Sequence, residues 1–131
     1  MSLELKLEEY QEVIVIALNG IVQPNNATFL QNSLDSLVKD GFSHFVLDCT
    51  YLKSINSDGL AVLYDLFLDL PPNGKIVLCN ANRRIRGLLD ISGLGHYLPY
   101  LESRDTAMKS VRNGIGHLDL DWQEARKHTD R

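Results

Sequence analysis

The sequence has few of the features that mark membrane or secreted proteins. Its 131 residues include four prolines and one tryptophan, and no apolar run approaches the roughly 18 residues that span a bilayer. The first ten residues, MSLELKLEEY, are acidic and lack the apolar core of a secretory signal. We therefore expect a cytoplasmic protein without membrane insertion.

Cysteine and positive charge are also scarce. Cys49 and Cys79 lie in separate apolar segments without the close cysteine or histidine neighbours of a metal site, which predicts buried, reduced thiols. The net charge is −4 and the isoelectric point is near 5.5, whereas nucleic-acid binding favours a basic face. We expect no metal, no cofactor and no nucleic-acid partner.

Common catalytic motifs are missing as well. The sequence has no Gly-x-Ser-x-Gly nucleophile elbow, no phosphate-binding Gly-x-x-x-x-Gly-Lys loop and no Gly-x-Gly-x-x-Gly fingerprint. The four histidines are scattered along the chain, at positions 44, 96, 117 and 128. Arg83, Arg84 and Arg86 have the charge to grip a phosphate, although a solvated helix face is the commoner role of such a cluster. An enzyme is the least favoured interpretation.

What the sequence does contain is a regular alternation of strand and helix patterns. Apolar residues make up 44% and charged residues 23%, which suits one globular domain. The patterns predict strands at 3–8, 13–18, 45–49 and 76–79, a weak edge strand at 97–101, and helices at 27–38, 57–68, 82–91 and 103–111. Residues 50–56 read as a polar loop. Phe29 and Ile91 are placed on the apolar faces of their helices.

This order predicts an α/β fold with an N-terminal β-hairpin and a largely parallel central sheet. The loops 23–26, 51–58 and 80–83 should meet beyond the carboxyl ends of the strands, where ligands and partners of such sheets gather. We assign residues 1–112 to the domain and 113–131 to a charged C-terminal extension. We interpret the extension from residue 117 as a tail or frayed helix with a docking tryptophan, Trp122, and the alternative is a partner-binding extension.

Asp48, at the end of a predicted central strand, has the position of the phosphoacceptor in receiver domains. Those domains also need an acidic pair after the first strand to bind Mg²⁺. The corresponding stretch here, Leu18-Asn19-Gly20-Ile21, is not acidic. We therefore interpret Asp48 as structural, bonding backbone N–H groups in the loop at 51–57.

The segment at 45–63, FVLDCTYLKSINSDGLAVL, is the most informative part of the chain. A buried strand leads through a short loop to Ser57-Asp58-Gly59 and then to an apolar helical run. Ser57 is thus at or beside a helix N-terminus, where N–H groups lack intrahelical partners and negative charge is favoured. A serine there either caps the helix, at about 1 kcal/mol relative to alanine, or carries a phosphate.

Strand, loop, Ile-Asn-Ser-Asp-Gly-Leu-Ala-Val-Leu and helix resemble the STAS domain of sulphate transporters and anti-sigma-factor antagonists. The resemblance covers roughly residues 5–111, and it identifies Ser57 as the phosphoacceptor with Gly59-Leu60 in register. Two positions depart from the family pattern. Asn56 stands where an aspartate is usual, and Asp58 where a serine, threonine or alanine is usual.

The resemblance implies a non-enzymatic regulatory module that binds a serine-kinase anti-sigma factor and is released by phosphate on Ser57. Two alternatives stay open. One is an unswitched STAS subunit of a stress-signalling assembly or a lipid-transport ATPase, and the other is a small-molecule or nucleotide-binding protein that uses the loops near 23, 57 and 83. A homo-oligomer is also compatible with the sequence. The predicted partner-binding residues are Gln23, Asn25, Asn56, Ser57, Asp58, Gly59, Asn82 and Arg83.

Overall fold

Six strands and four α-helices make up the structure, a computed structural model that describes the backbone of residues 2–119 and the side chains of residues 2–113. The strands are β1 (Leu3–Tyr10), β2 (Val13–Val22), β3 (His44–Asp48), β4 (Leu52–Ile55), β5 (Lys75–Cys79) and β6 (Tyr100–Leu101). The helices are α1 (Ala27–Lys39), α2 (Ser57–Asp69), α3 (Arg83–Ser92) and α4 (Arg104–Asp119), with a 3-10 turn at Leu94–His96.

The strands form one sheet in the order β1-β2-β3-β5-β6, and β4 pairs with the far end of β2. Strands β1 and β2 are antiparallel and joined by a tight turn, while every other pairing among the described residues is parallel. The predicted hairpin and the largely parallel α/β sheet are therefore confirmed.

Side chains of the central strands alternate between two apolar layers, because successive residues of a strand point to opposite faces. Ile14 and Ile16 of β2 belong to the larger layer, which α1, α2 and α3 cover. Val13 and Val15 belong to the smaller layer, which α4 covers through Ala107 and Val111. The sheet thus has three helices on one face and one helix on the other.

The predicted loop at 50–56 is wrong, because residues Leu52–Ile55 form β4. Strand β2 has ten residues and β3 only five, so the end of β2 extends beyond its first neighbour. The backbone of β4 pairs with that end, after a register shift between Gly20 and Ile21. A strand of four residues with two polar side chains gives no periodic signal in the sequence.

Two predicted core residues and the fifth strand also need correction. Phe29 is 49% exposed and Ile91 is 88% exposed. Each lies one or two positions from a buried residue, Leu30 or Leu89, and is rotated away from the core by the helical step of about 100° per residue. The strand predicted at 97–101 is reduced to Tyr100–Leu101, since the 3-10 turn and Pro99 precede it.

The last helix runs to Asp119 and not to Val111 as predicted. Glycines 114 and 116 do not end it, since glycine inside a helix costs only about 1 kcal/mol relative to alanine. The proposed division at 112/113 therefore falls within α4, and the separate extension stays a prediction. Residues 120–131, including Trp122, lie outside the described part of the chain. No helix between residues 2 and 119 is long and apolar enough to cross a bilayer.

Candidate functional site

Helix α2 is capped by Asn56. The Asn56 backbone is extended, with φ −88° and ψ 178°, and its side-chain Oδ1 accepts a hydrogen bond from the Gly59 N–H at 2.9 Å. The Asn56 N–H donates to the Val22 carbonyl at 3.0 Å, which joins the cap to the end of β2. The capping role that the sequence allowed for Ser57 therefore belongs to its neighbour.

Ser57 is the first helical residue of α2 and its side chain is exposed. Among residues 2–113 its hydroxyl has no hydrogen-bond partner. The first N–H groups of a helix lack intrahelical acceptors, and the helix dipole favours an anion beside them. The hydroxyl is thus accessible to solvent at a helix N-terminus, a place that favours anions.

Asp58 places a negative charge beside Ser57. Its side chain is exposed, and its Oδ2 lies 3.5 Å from the Asn56 Nδ2. A carboxylate in the first turn stabilises a helix by a few tenths of a kcal/mol. The same charge repels any phosphate that approaches Ser57.

Gly59 is buried where α2 packs against β2 and β4. A Cβ atom at this position would lie 2.5 Å from the Val22 Cγ1 and 2.6 Å from the Ile55 Cγ1, far inside van der Waals contact. Leu60 follows and enters the larger apolar layer. The Gly-Leu pair therefore fixes how α2, and with it Ser57, is seated on β2 and β4.

Three asparagines, Asn26, Asn56 and Asn82, directly precede helices at this edge of the sheet and bond its loops, and we call them the asparagine cluster. Asn26 accepts from the Gln23 N–H and donates to the Ile21 carbonyl, both at 2.9 Å. Asn82 caps α3 through the Ile85 N–H at 2.9 Å. The Asn82 Nδ2 also lies 3.2 Å from the carbonyl oxygens of residues 52 and 53.

The segment at 51–58 is therefore flanked by the other two predicted loops, as expected from the sheet topology. Asn82 connects it to the loop at 80–83, and the Val22 carbonyl connects it to the loop at 23–26. Of the remaining predicted partner-binding residues, Asn25 and Arg83 are exposed and Gln23 is half-buried. Sequence reasoning did not single out the side chain of Asn26, although each asparagine of the cluster directly precedes a helix.

A second polar group lies at the carboxyl end of β3, formed by Glu8, Asp48 and Arg104, and we call it the ionic cluster. The Asp48 Oδ2 is 2.9 Å from Arg104 Nη2 and 3.0 Å from Arg104 Nε, and Arg104 Nη1 is 3.0 Å from Glu8 Oε1. The Asp48 Oδ1 accepts from the Thr50 N–H and hydroxyl. Asp48 thus bonds Thr50 and, through Arg104, helix α4 instead of the predicted loop at 51–57, and its structural role stays an interpretation.

Opposing effects act on the pKa of the Asp48 carboxyl. Burial alone would raise the pKa, while hydrogen bonds from Thr50 and Arg104 favour the charged form and hold the pKa below its usual value. The pKa of Glu8 is lowered too, by hydrogen bonds from Tyr10 and Arg104. The cluster is thus an ion network that ties the hairpin, β3 and α4 together.

Comparison with known proteins bears directly on this arrangement. The family model of the STAS domain matches residues 4–107, which include the hairpin, the asparagine cluster and Ser57. The chain belongs to the STAS domain family. The match therefore covers the start of α2, whose capping residue is Asn56.

Relatives of this STAS chain carry the names of anti-sigma factor antagonists. BtrV of Bordetella bronchiseptica, which is so named, is 28% identical over 114 residues, which are 86% of this chain and 98% of BtrV. The anti-sigma F factor antagonist of Paenibacillus polymyxa is 24% identical over 113 residues, 85% of this chain and 97% of the relative.

Solved structures share the fold. An anti-sigma factor antagonist from Mycobacterium paratuberculosis superimposes with a TM-score of 0.80 at 22% identity, over 85% of this chain and 95% of the other. The phosphorylated form of the Bacillus protein SpoIIAA has a TM-score of 0.66 at 20% identity, over 82% of this chain and 99% of SpoIIAA. At these identities the likeness establishes the architecture alone.

Proposed function

We propose that this STAS protein is a regulatory binding module that acts as an anti-sigma-factor antagonist. Its partner is an anti-sigma factor with serine-kinase activity, and phosphorylation of Ser57 by that kinase ends the complex. The observation that carries the proposal is the exposed Ser57 at the first position of α2. Its hydroxyl is not used to cap the helix, because Asn56 is the capping residue. The names of the relatives support the choice of partner.

The switch is electrostatic. A phosphate adds about −1.5 to −2 charge at neutral pH, and the N-terminus of α2 tolerates that charge without a change of fold. Against a packed or acidic partner surface, the same charge has to be desolvated and is repelled, so the complex dissociates. The partner-binding surface comprises Ser57 and the exposed side chains around it, including Asn25, Asp58 and Arg83.

One observation favours a second candidate, a STAS subunit that docks without a switch. Asp58 already holds a negative charge beside the hydroxyl, which disfavours the approach of the γ-phosphate of ATP. A constitutive subunit would keep the same docking surface and lose only the modification.

The two candidate functions predict different affinities of Ser57 variants for the partner kinase. We would measure binding of the anti-sigma factor kinases encoded by the same host to the native chain, Ser57→Ala, Ser57→Glu and Ser36→Glu, using calorimetry. The switch predicts that Ser57→Glu weakens binding at least about tenfold, which is 1.4 kcal/mol, while Ser57→Ala binds normally. Ser36, an exposed serine of α1, is the matched control for an added charge.

Phosphosite mass spectrometry on the protein from growing and stressed host cells completes the test. A phosphate on Ser57 that changes with growth condition supports the switch. Unmodified Ser57 in every condition, together with a kinase that binds Ser57→Glu as tightly as the native chain, would leave the constitutive subunit. Failure of every candidate kinase to bind the native chain would refute both.

A further inference from the structure

A crevice opens between the carboxyl ends of β5 and β6. The two strands are parallel neighbours, but the helices that follow them leave the sheet on opposite sides. Helix α3 packs on the larger apolar layer, and α4 packs on the smaller one. Open α/β sheets bind ligands where successive connections diverge in this way.

The crevice is large enough for a metabolite. Its volume is about 800 Å³, within the range of roughly 300–1,000 Å³ that is typical of small-molecule sites. Its lining includes residues that lie one or two positions after three strands, namely Thr50, Asn80 and Glu102. Ser57 and the other residues of α2 are not among the lining residues, so this crevice is separate from the proposed docking surface.

Arg86 supplies the positive charge of the crevice. Its side chain is exposed, and no carboxylate among residues 2–113 forms a salt bridge with it. The guanidinium carbon lies 6.0 Å from the centre of the Tyr100 ring, a cation–π distance. The Tyr100 hydroxyl donates to the Asp90 Oδ2 at 3.2 Å, which holds the ring in place. The crevice therefore presents a positioned cation that forms no salt bridge within residues 2–113, and the Glu102 carboxylate is the other charged group of its lining.

The floor of the crevice is organised before any ligand arrives. Asn80 has a left-handed backbone, with φ 59°, and its Nδ2 donates to the Thr50 Oγ1 at 2.9 Å. Thr50 in turn donates to Asp48. Non-glycine residues in this conformation recur at ligand sites, where the surrounding structure holds them in place.

We propose that this crevice binds a small organic anion. Arg86 pairs with a phosphate or carboxylate group of the ligand. The Tyr100 ring and the half-buried Leu101 contact its less polar part, and the exposed Glu102 carboxylate accepts hydrogen bonds from its hydroxyl groups. The ligand is therefore an anion with a hydroxylated body, which fits both the single cation and the neighbouring carboxylate.

Matched probes test the proposal on the full chain. We would record melting temperatures and calorimetric affinities with AMP and ribose 5-phosphate, and with their uncharged counterparts adenosine and ribose. At least one anion should raise the melting temperature, because a ligand that binds only the folded state stabilises it. The uncharged counterpart should have no effect at the same concentration.

Two variants of α3 locate the site. Arg86→Gln should weaken binding of the effective anion at least about tenfold. Arg84→Gln removes the same charge from an exposed residue of the same helix that does not line the crevice, and it should bind like the native chain. The proposal is overturned if no anion shifts the melting temperature, if an uncharged probe shifts it equally, or if both variants weaken binding alike.

Discussion

The asparagine cluster and the ionic cluster lie along the same edge of the sheet but hold it by different chemistry. The asparagine cluster uses the neutral side-chain amides of residues that directly precede three helices. The ionic cluster uses one guanidinium between two carboxylates. Arg104 is 56 residues from Asp48 and 96 residues from Glu8 in the sequence. The first therefore shapes loops, whereas the second joins distant parts of the chain.

The difference matters most around Ser57. The neutral side chain of Asn56 fixes the start of α2 without adding a charge. The electrostatic field at the Ser57 hydroxyl is therefore set by the helix N-terminus and by Asp58. Charged clamps at the same place would attract or repel a phosphate permanently. Ion pairs are instead used at Asp48, where no modification is proposed.

The largest expected effect comes from the glycine beneath the asparagine cluster. Gly59→Ala should lower the free energy of unfolding by about 2–3 kcal/mol, because the added methyl group overlaps Val22 and Ile55. Gly87→Ala is the matched control in α3, since a Cβ there meets no atom within 4 Å. The control should stabilise the protein by about 0.5–1 kcal/mol. Urea denaturation of both variants measures the difference, and equal effects would contradict the close approach of α2.

Breaking the ionic cluster should have the next largest effect. Arg104→Ala leaves the nearly buried Asp48 carboxylate without its cation. Losing one partner of a buried pair costs about 3–5 kcal/mol, and we expect about 2 kcal/mol here because Arg104 is roughly one-third exposed. Lys109→Ala, which breaks an exposed pair with Asp105 on the same helix, should cost less than about 0.5 kcal/mol. Thermal unfolding compares the two variants, and similar losses would show that the cluster adds little.

Removing the cap of α2 should have a smaller effect. Asn56→Ala should cost about 1 kcal/mol, because the Gly59 N–H loses its acceptor. Asn56→Asp keeps an oxygen at that position and should be nearly neutral in stability. Chemical denaturation gives both values. A loss in Asn56→Asp as large as that in Asn56→Ala would mean that the Asn56 side chain acts through its amide nitrogen instead.

The smallest expected effect is a difference in how the stability of variants of the two clusters depends on pH. The folded pKa of Asp48 is below its unfolded value, so the unfolded chain binds more protons in acid and stability falls with decreasing pH. The loss should begin below about pH 5 and grow as the pH falls through the unfolded value near 3.9. Denaturation curves at several pH values should show a shallower decline for Asp48→Asn and an unchanged decline for Asn56→Ala. An identical decline in all three proteins would remove Asp48 from the explanation.

Local signals in the sequence predicted much of this architecture. The hairpin follows from alternation in residues 3–8, and the start of α2 follows from polar residues directly before an apolar run. Strand β4 was missed because only pairing with the end of β2 makes Leu52–Ile55 a strand. Arg104 was missed because nothing near it in the sequence indicates a partner 56 residues away. The position of Ser57 was predicted, but the assignment of the cap to Asn56 required the backbone angles of the folded chain.

The close packing of Gly59 determines how α2 would respond to a modification of Ser57. With no room for one methyl group between α2 and the strands beneath it, the helix has little freedom to slide or turn when its first residue is modified. Phosphorylation of Ser57 would therefore change the charge at the surface of α2 without moving the helix. A partner that responds to phosphorylation would therefore have to contact Ser57 or lie within the short range of the phosphate charge.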